Sequence, residues 1–267
     1  MRKEGFILLD EYIDSRMLKE FMFFPFNLGE DEFFFKYNKS MFDVYNELIA
    51  EEFAKDYGLE CAHYDLGYFH GFRGVITKNF VKPGESFYCG CNLMEKVFNN
   101  DEDKLFNSVS YNNLEFYKSV LDEEQFENLI NIFLFDVLLG NCDRHENNIG
   151  FIKDEFGDRL SPIYDNEKIL SDASIIHGFY RLSVNKEDDL KNFFLDPLRY
   201  KNIFRKFILK YKRSELVREK LDIISKTNIE KVLDRVEERI EENIPDSKRE
   251  KTKLLLLNNA EKIKYNL

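Results

Sequence analysis

Apolar and polar positions along this chain follow two rhythms, and the change from one to the other divides it. "EFFFKYN" (Glu32 to Asn38) is short, apolar and aromatic, which predicts a strand holding a single lysine. In "MFDVYNELIAEEFAKDYG" (Met41 to Gly58), Val44, Leu48, Ile49, Phe53 and Ala54 recur at helical spacing. Ser40 is placed to cap the start of that helix, and Gly58 to end it. "CAHYDLGYFHGFRGVITKNF" then mixes alternation with Gly67, Gly71 and Gly74, the pattern of strands joined by a tight turn. "VKPGESFYCGCN" (Val81 to Asn92) carries Pro83, Gly84 and Gly90 and is expected to be the connector out of this sheet.

Beyond the connector the period becomes helical. Gln125 to Leu139 is apolar almost all round, which predicts a central buried helix rather than a surface one. A dense polar loop, "GNCDRHENNIG" (Gly140 to Gly150), follows at once. Two short strand-like pieces come next, "IGFIKD" and "RLSPIYDN", joined by a turn at Phe156-Gly157-Asp158. From about Glu187 onward helices dominate, and Ile229, Val232, Leu233, Val236 and Ile240 form a one-sided stripe. The Lys201 to Lys212 segment, basic on one face and apolar on the other, is expected to be an ordinary packed helix. The layout is α+β and two-lobed: a small β-rich N-lobe with its connector over 1–92, and a larger helical C-lobe over 93–267. A polar loop at the end of a buried helix would face the cleft between the lobes.

Composition narrows the partners. The chain of 267 residues is 43% hydrophobic and 33% charged, enough for a substantial core, and phenylalanine (27 residues, with no tryptophan) supplies much of its volume. A formal charge of −11 repels a nucleic-acid backbone, so no direct nucleic-acid partner is expected. Cys61, Cys89, Cys91 and Cys142 lack the spacing of a disulfide framework or zinc knuckle and are read as reduced thiols. The N-terminal stretch is too short in apolar residues for a signal-peptide core. No uncharged run approaches the ~18 residues of a membrane span. A cytoplasmic protein without membrane contact is the expectation.

The polar loop carries the candidate chemistry. Asp143 and Asn148 stand five positions apart, the separation of a protein-kinase catalytic loop. Phosphoryl transfer needs a carboxylate to orient an attacking hydroxyl and an oxygen ligand for magnesium, which an asparagine carbonyl supplies. Asp165, 17 residues after Asn148 and at the end of the second strand-like piece, is a further carboxylate suited to metal. Upstream, Lys36 among phenylalanines needs a partner if its ammonium is buried. Glu47, 11 residues on in the following helix, is the candidate, and Glu51 is its rival one turn later.

"DRHENNIG" followed by "PIYDN", with "FFFKYN" and "NELIAEEFAKDYGL" ahead, resembles the HipA-like serine/threonine kinases of bacteria. The resemblance implies a two-lobed protein-kinase-like fold that binds ATP and Mg2+ and phosphorylates a serine or threonine of a protein substrate. It implies that Lys36 contacts phosphate, Glu47 holds Lys36, Asp143 is the catalytic carboxylate, and Asn148 and Asp165 bind metal. By the same resemblance His145 orders the catalytic loop, and Arg144 pairs with a carboxylate or phosphate. A small antitoxin or regulatory protein is the implied partner.

The chain departs from that pattern in three places. No Gly-rich loop precedes Lys36, leaving Ser15, Arg16 and Lys19 as weak phosphate-gripping candidates. Glu167 stands where the family has a glycine, and it either stiffens the segment or adds a carboxylate near the metal. The chain starts close to its kinase-like strand, so the N-terminal subdomain of full-length HipA toxins is not expected. Two alternatives stay open: a phosphatidylinositol-type lipid kinase, whose loop has a similar Asp-Arg-His-x-x-Asn pattern, and a nucleotide-binding pseudokinase acting as a binding module. A metal-dependent hydrolase using His63, His70, His145 and His177 fails on ligand spacing.

Overall fold

The computed structural model describes residues 2–3, 6–9, 23–28, 31–37, 43–69, 72–98, 114–141, 143–170 and 214–266. Ser15, Arg16, Lys19, Ser40, Cys142 and the Lys201 to Lys212 segment lie outside the described residues, as does the helical stretch expected between Glu187 and Arg213.

A six-stranded sheet forms the N-terminal part. Its strands are β1 (Arg2–Lys3), β2 (Phe6–Leu9), β3 (Phe23–Leu28), β4 (Asp31–Tyr37), β5 (Tyr64–Phe69) and β6 (Phe72–Lys78), in the order β1-β2-β5-β6-β4-β3. Every neighbouring pair is antiparallel except β2 and β5. Among the described residues, β3 occupies an edge and pairs only with β4, a position that tolerates Pro25 and its missing N–H. The two-residue period of β4 splits its phenylalanines. Phe35 lies opposite Ile76 and packs with Phe69 on one face, whereas Lys36, opposite Val75, is delivered to the other.

That other face meets α1 (Asp43–Tyr57), in which every residue from Val44 to Ala54 is buried. Three acids share this burial with the apolar residues, so α1 is a core helix that needs cationic partners. Gly58, at φ +87°, ends it with its N–H donating to the Ala54 carbonyl.

The expected connector is more structured than its Pro and Gly content suggests. Ser86–Cys89 forms β7, and Gly90–Phe98 forms α2. β7 pairs with β8 (Gly150–Lys153), and β8 with β9 (Asp158–Leu160), so the connector strand and the two strands after the polar loop build a second, three-stranded sheet. The second strand-like piece stops early. Pro162 offers no donor, and only Ile163 makes a further bridge, to Cys61, before the chain turns.

The helical part is built around α4 (Glu123–Leu139), preceded by α3 (Leu114–Val120). Asp122 caps α4 by accepting the Gln125 N–H, and all residues from Ile132 to Leu139 are buried. α5 (Ser214–Leu221), α6 (Lys226–Ile240) and α7 (Asp246–Asn266) complete it. The stripe Ile229, Val232, Leu233 and Val236 is wholly buried, and it joins α1 and α4 in one core. Among the described residues, no helix is long and apolar enough to cross a membrane.

Candidate functional site

Lys36 is buried in β4 and would lose far more hydration than it could recover without charged partners. It has three. Its ammonium donates to Glu47 Oε1 at 3.1 Å, contacts Glu167 Oε2 at 3.1 Å, and makes a short bond to Asp165 Oδ1. Burial pulls its pKa down, but the three carboxylates outweigh burial and push it up, so Lys36 stays charged. At Asp165 burial pushes the other way from the nearby Lys36 charge; the ammonium wins and holds the carboxyl below its usual range.

Glu47 is fully buried and is fixed at both oxygens, because Oε2 accepts the Asn166 N–H at 2.7 Å. Its helix is fixed in turn. Arg239 pairs with Glu51 and Glu52 at 2.9 Å each, Arg235 with Glu52 at 3.1 Å, and the Asn46 side chain binds the Glu167 carbonyl at 2.6 Å. Glu51, the rival for Lys36, instead accepts from the Tyr64 N–H and faces His63 and Arg239.

The polar loop begins where α4 ends. Gly140 adopts φ 68°, a left-handed bend that glycine reaches without a Cβ penalty, and the Asn141 N–H closes the helix end on the Asp136 carbonyl. Asn141 Oδ1 then accepts the Asp143 N–H at 3.0 Å. Asn148 Nδ2 donates to the Asp143 carbonyl at 2.9 Å, so the two ends of the Asp-to-Asn motif are tied across the loop. His145 Nδ1 accepts the Asn147 N–H at 3.2 Å and caps the 3-10 turn Glu146–Asn148.

Arg144 joins this loop to the Asp165 segment. It is 1% exposed, and all five of its donors are engaged. Two go to the Asp136 carboxylate at 2.9 and 3.0 Å. The others reach the Asn148 carbonyl at 2.9 Å, the Tyr164 carbonyl at 2.7 Å and Asn166 Oδ1 at 2.6 Å. The carboxylate of the sequence-based expectation is thus Asp136. Asp165 itself takes φ 55°, with its N–H on the Tyr64 hydroxyl at 3.1 Å. It therefore leaves extended geometry rather than ending a strand, which turns its carboxylate back to Lys36.

A cavity of about 380 Å³ opens beside these groups. Lys36 and Asp165 line it together with the apolar walls of Phe34, Phe80, Phe87 and Tyr164. The last three rings pack with centroids 5.9 to 6.1 Å apart. Gly150 permits this arrangement, since a Cβ there would collide with the Phe87 and Tyr164 rings and with Ser161 Oγ.

The structure therefore brings Lys36, Glu47 and Asp165 into one cluster, ties Asp143, His145 and Asn148 into one loop, and links the two through Arg144. Sequence reasoning missed Asp136, although it is the one charged residue between Glu127 and Asp143 and so announced a buried partner. It also missed Asn166 and the aromatic wall, whose members are scattered over three segments and carry no local signal.

Comparison with known proteins follows this geometry. The family described as HipA-like C-terminal domain matches residues 24–244. A proinflammatory kinase of Helicobacter pylori, CtkA, has a similar structure with a TM-score of 0.54 at 15% identity, over 90% of this chain and 90% of that one. HipA of Shewanella oneidensis MR-1, solved in its toxin–antitoxin complex with HipB and operator DNA, has a TM-score of 0.50 at 16% identity. That likeness covers 89% of this chain but 62% of HipA, so this chain spans less than two thirds of that protein. No curated protein matches the sequence. At these identities the likeness establishes architecture: a kinase-like fold, β-rich in its first part and helical in its second.

Proposed function

The chain belongs to the HipA-like C-terminal domain family, and from that premise we propose that it is an ATP- and magnesium-dependent kinase that phosphorylates a serine or threonine of another protein. The observation that carries this reading is the Lys36–Glu47–Asp165 cluster at one end of an aromatic-walled cavity, with the Asp143–Asn148 loop attached through Arg144.

The donor set fits the proposed ligands. Aromatic walls suit a nucleotide base, a buried ammonium suits phosphate, and three carboxylates around one cation leave negative charge in excess, which suits a divalent metal. In this proposal Lys36 binds phosphate and Glu47 keeps it aimed there. Asp165 and Asn148 hold the metal, Asp143 orients the acceptor hydroxyl and takes its proton, and His145 keeps the loop in shape. Bound magnesium supplies charge neutralisation at the phosphates. The rest of catalysis is positioning by this rigid polar framework, with Phe80, Phe87 and Tyr164 keeping water from the base. An antitoxin-like protein partner and a cytoplasmic setting belong to the same proposal.

The test is intact mass after incubation with magnesium and ATP, with a generic serine/threonine acceptor protein, run beside Asp143→Ala. We expect phosphate incorporation with the wild type, none with Asp143→Ala, and ATP binding by both. Equal incorporation by Asp143→Ala would sink the role of the loop. ATP binding with no transfer by the wild type would favour the pseudokinase reading, and transfer to a phosphoinositide alone the lipid-kinase reading.

A further inference from the structure

We propose, resting on the kinase reading above, that Glu167 competes with nucleotide phosphates for Lys36 and thereby sets how tightly the site takes ATP. A lysine ammonium has three N–H donors. Here three carboxylates take them: Glu47 Oε1 at 3.1 Å, Glu167 Oε2 at 3.1 Å, and Asp165 Oδ1 in a short bond. A phosphate oxygen can reach the ammonium only by displacing one of them.

The three are not equally able to leave. Glu47 is fully buried, and its second oxygen is committed to the Asn166 N–H at 2.7 Å. Asp165 has its side chain 34% exposed on the cavity, but it is the metal-binding carboxylate of the proposal and stays in the site. Glu167 has somewhere to go. Its Oε1 already lies 3.0 Å from the Lys168 ammonium, whose side chain is 44% exposed. The Glu167 carbonyl is pinned by Asn46 at 2.6 Å, which holds the backbone in place while the side chain turns from Lys36 toward Lys168.

Electrostatics gives that rotation its direction. Three carboxyl groups crowd one buried ammonium, and the half-exposed Lys168 reaches only the outer oxygen of Glu167, so the cluster is poor in cations. An arriving triphosphate adds more of the same sign beside a Glu167 side chain that is only 10% exposed. Moving that carboxylate out to Lys168 frees a donor on Lys36 and takes one negative charge away from the ammonium that the phosphate must reach. Nucleotide affinity is therefore lowered by the strength of the Glu167–Lys36 contact, and Lys168 eases the exchange.

Calorimetric titration of ATP into the wild type, Glu167→Gln and Lys168→Ala, each with EDTA and with magnesium, tests this. Adenosine, which has the base but no phosphate, is the control. With EDTA, Glu167→Gln is expected to bind ATP about tenfold tighter, the size of one charge-assisted contact, with adenosine affinity unchanged. Lys168→Ala, which removes the outer partner of Glu167 but none of the groups bonded to Lys36, is expected to bind ATP about threefold more weakly. Unchanged or weaker ATP binding by Glu167→Gln overturns the proposal. So does equal tightening of adenosine, which would mark a general change of the cavity. Weaker binding by Glu167→Gln in magnesium alone overturns it too, and makes Glu167 a metal ligand. Failure of the folded wild type and both variants to bind either compound removes the kinase reading itself.

Discussion

Two buried cations lie on either side of Asn166, and their surroundings differ in one respect. Arg144 faces one carboxylate, Asp136, and its remaining donors go to two backbone carbonyls and an amide oxygen. Charge is balanced there and every donor is engaged. Lys36 also has every donor engaged, but by three carboxylates, so its cluster keeps an excess of negative charge. The balanced cluster is a structural rivet that joins α4, the polar loop and the Asp165 segment. The unbalanced one borders a cavity, and its stability at rest is compromised by the same charge that would attract a metal. Completeness of hydrogen bonding does not separate structure from function here; the charge balance does.

The largest test of that contrast is Arg144→Ala. It leaves Asp136 buried without its cation and is expected to cost about 3–5 kcal/mol in chemical denaturation. A loss near zero would break the idea of a rivet. The opposite sign is expected in the other cluster. Glu167→Gln removes one carboxylate from the overcharged group and should raise stability by about 0.5–1 kcal/mol, as changes that relieve a functional site often do. If it destabilises the protein as Arg144→Ala does, the two clusters are of one kind.

The smallest effect belongs to a more exposed group. His63 lies between Glu51 and Asp65, whose hydrogen bonds and charge raise its pKa from 6.5 to about 9 despite partial burial. Lys55 and Arg239 also face Glu51 and limit the gain. Because the folded state favours the protonated ring, the contribution is fully present below pH 6.5 and is lost as pH rises through about 9. With the side chain 55% exposed, solvent screening keeps it below ~1 kcal/mol. Thermal melts across that window should fall slightly in the wild type and stay flat in His63→Gln.

Much of this was legible along the chain because the signals are local. The helical spacing of Val44, Leu48 and Ile49, the all-apolar run ending at Leu139, and the stripe from Ile229 to Ile240 each reflect one element burying one surface. The spacing of Asp143 and Asn148 is legible for the same reason, since one short turn carries both. Less was legible where pairing is remote. β7 lies in a Pro- and Gly-rich stretch and becomes a strand only because β8, 61 positions later, offers it a partner (Cys89 with Gly150). The edge strand β3, with Pro25 in it, needed β4 to be recognised.

The sequence by itself determined which residue types were present and which elements would carry them: a lysine in an aromatic strand, acids along a helix, a dense polar loop after a buried one. Only the tertiary structure decided how those charges are apportioned. It chose Glu47 over Glu51 for Lys36, found Asp136 for Arg144, and turned Asp165 and Glu167 back onto the same ammonium. Helical period and turn chemistry act over a few residues and can be read in order. Ion pairing inside a core acts through space at low dielectric, and its partners are named only when the chain has brought them together.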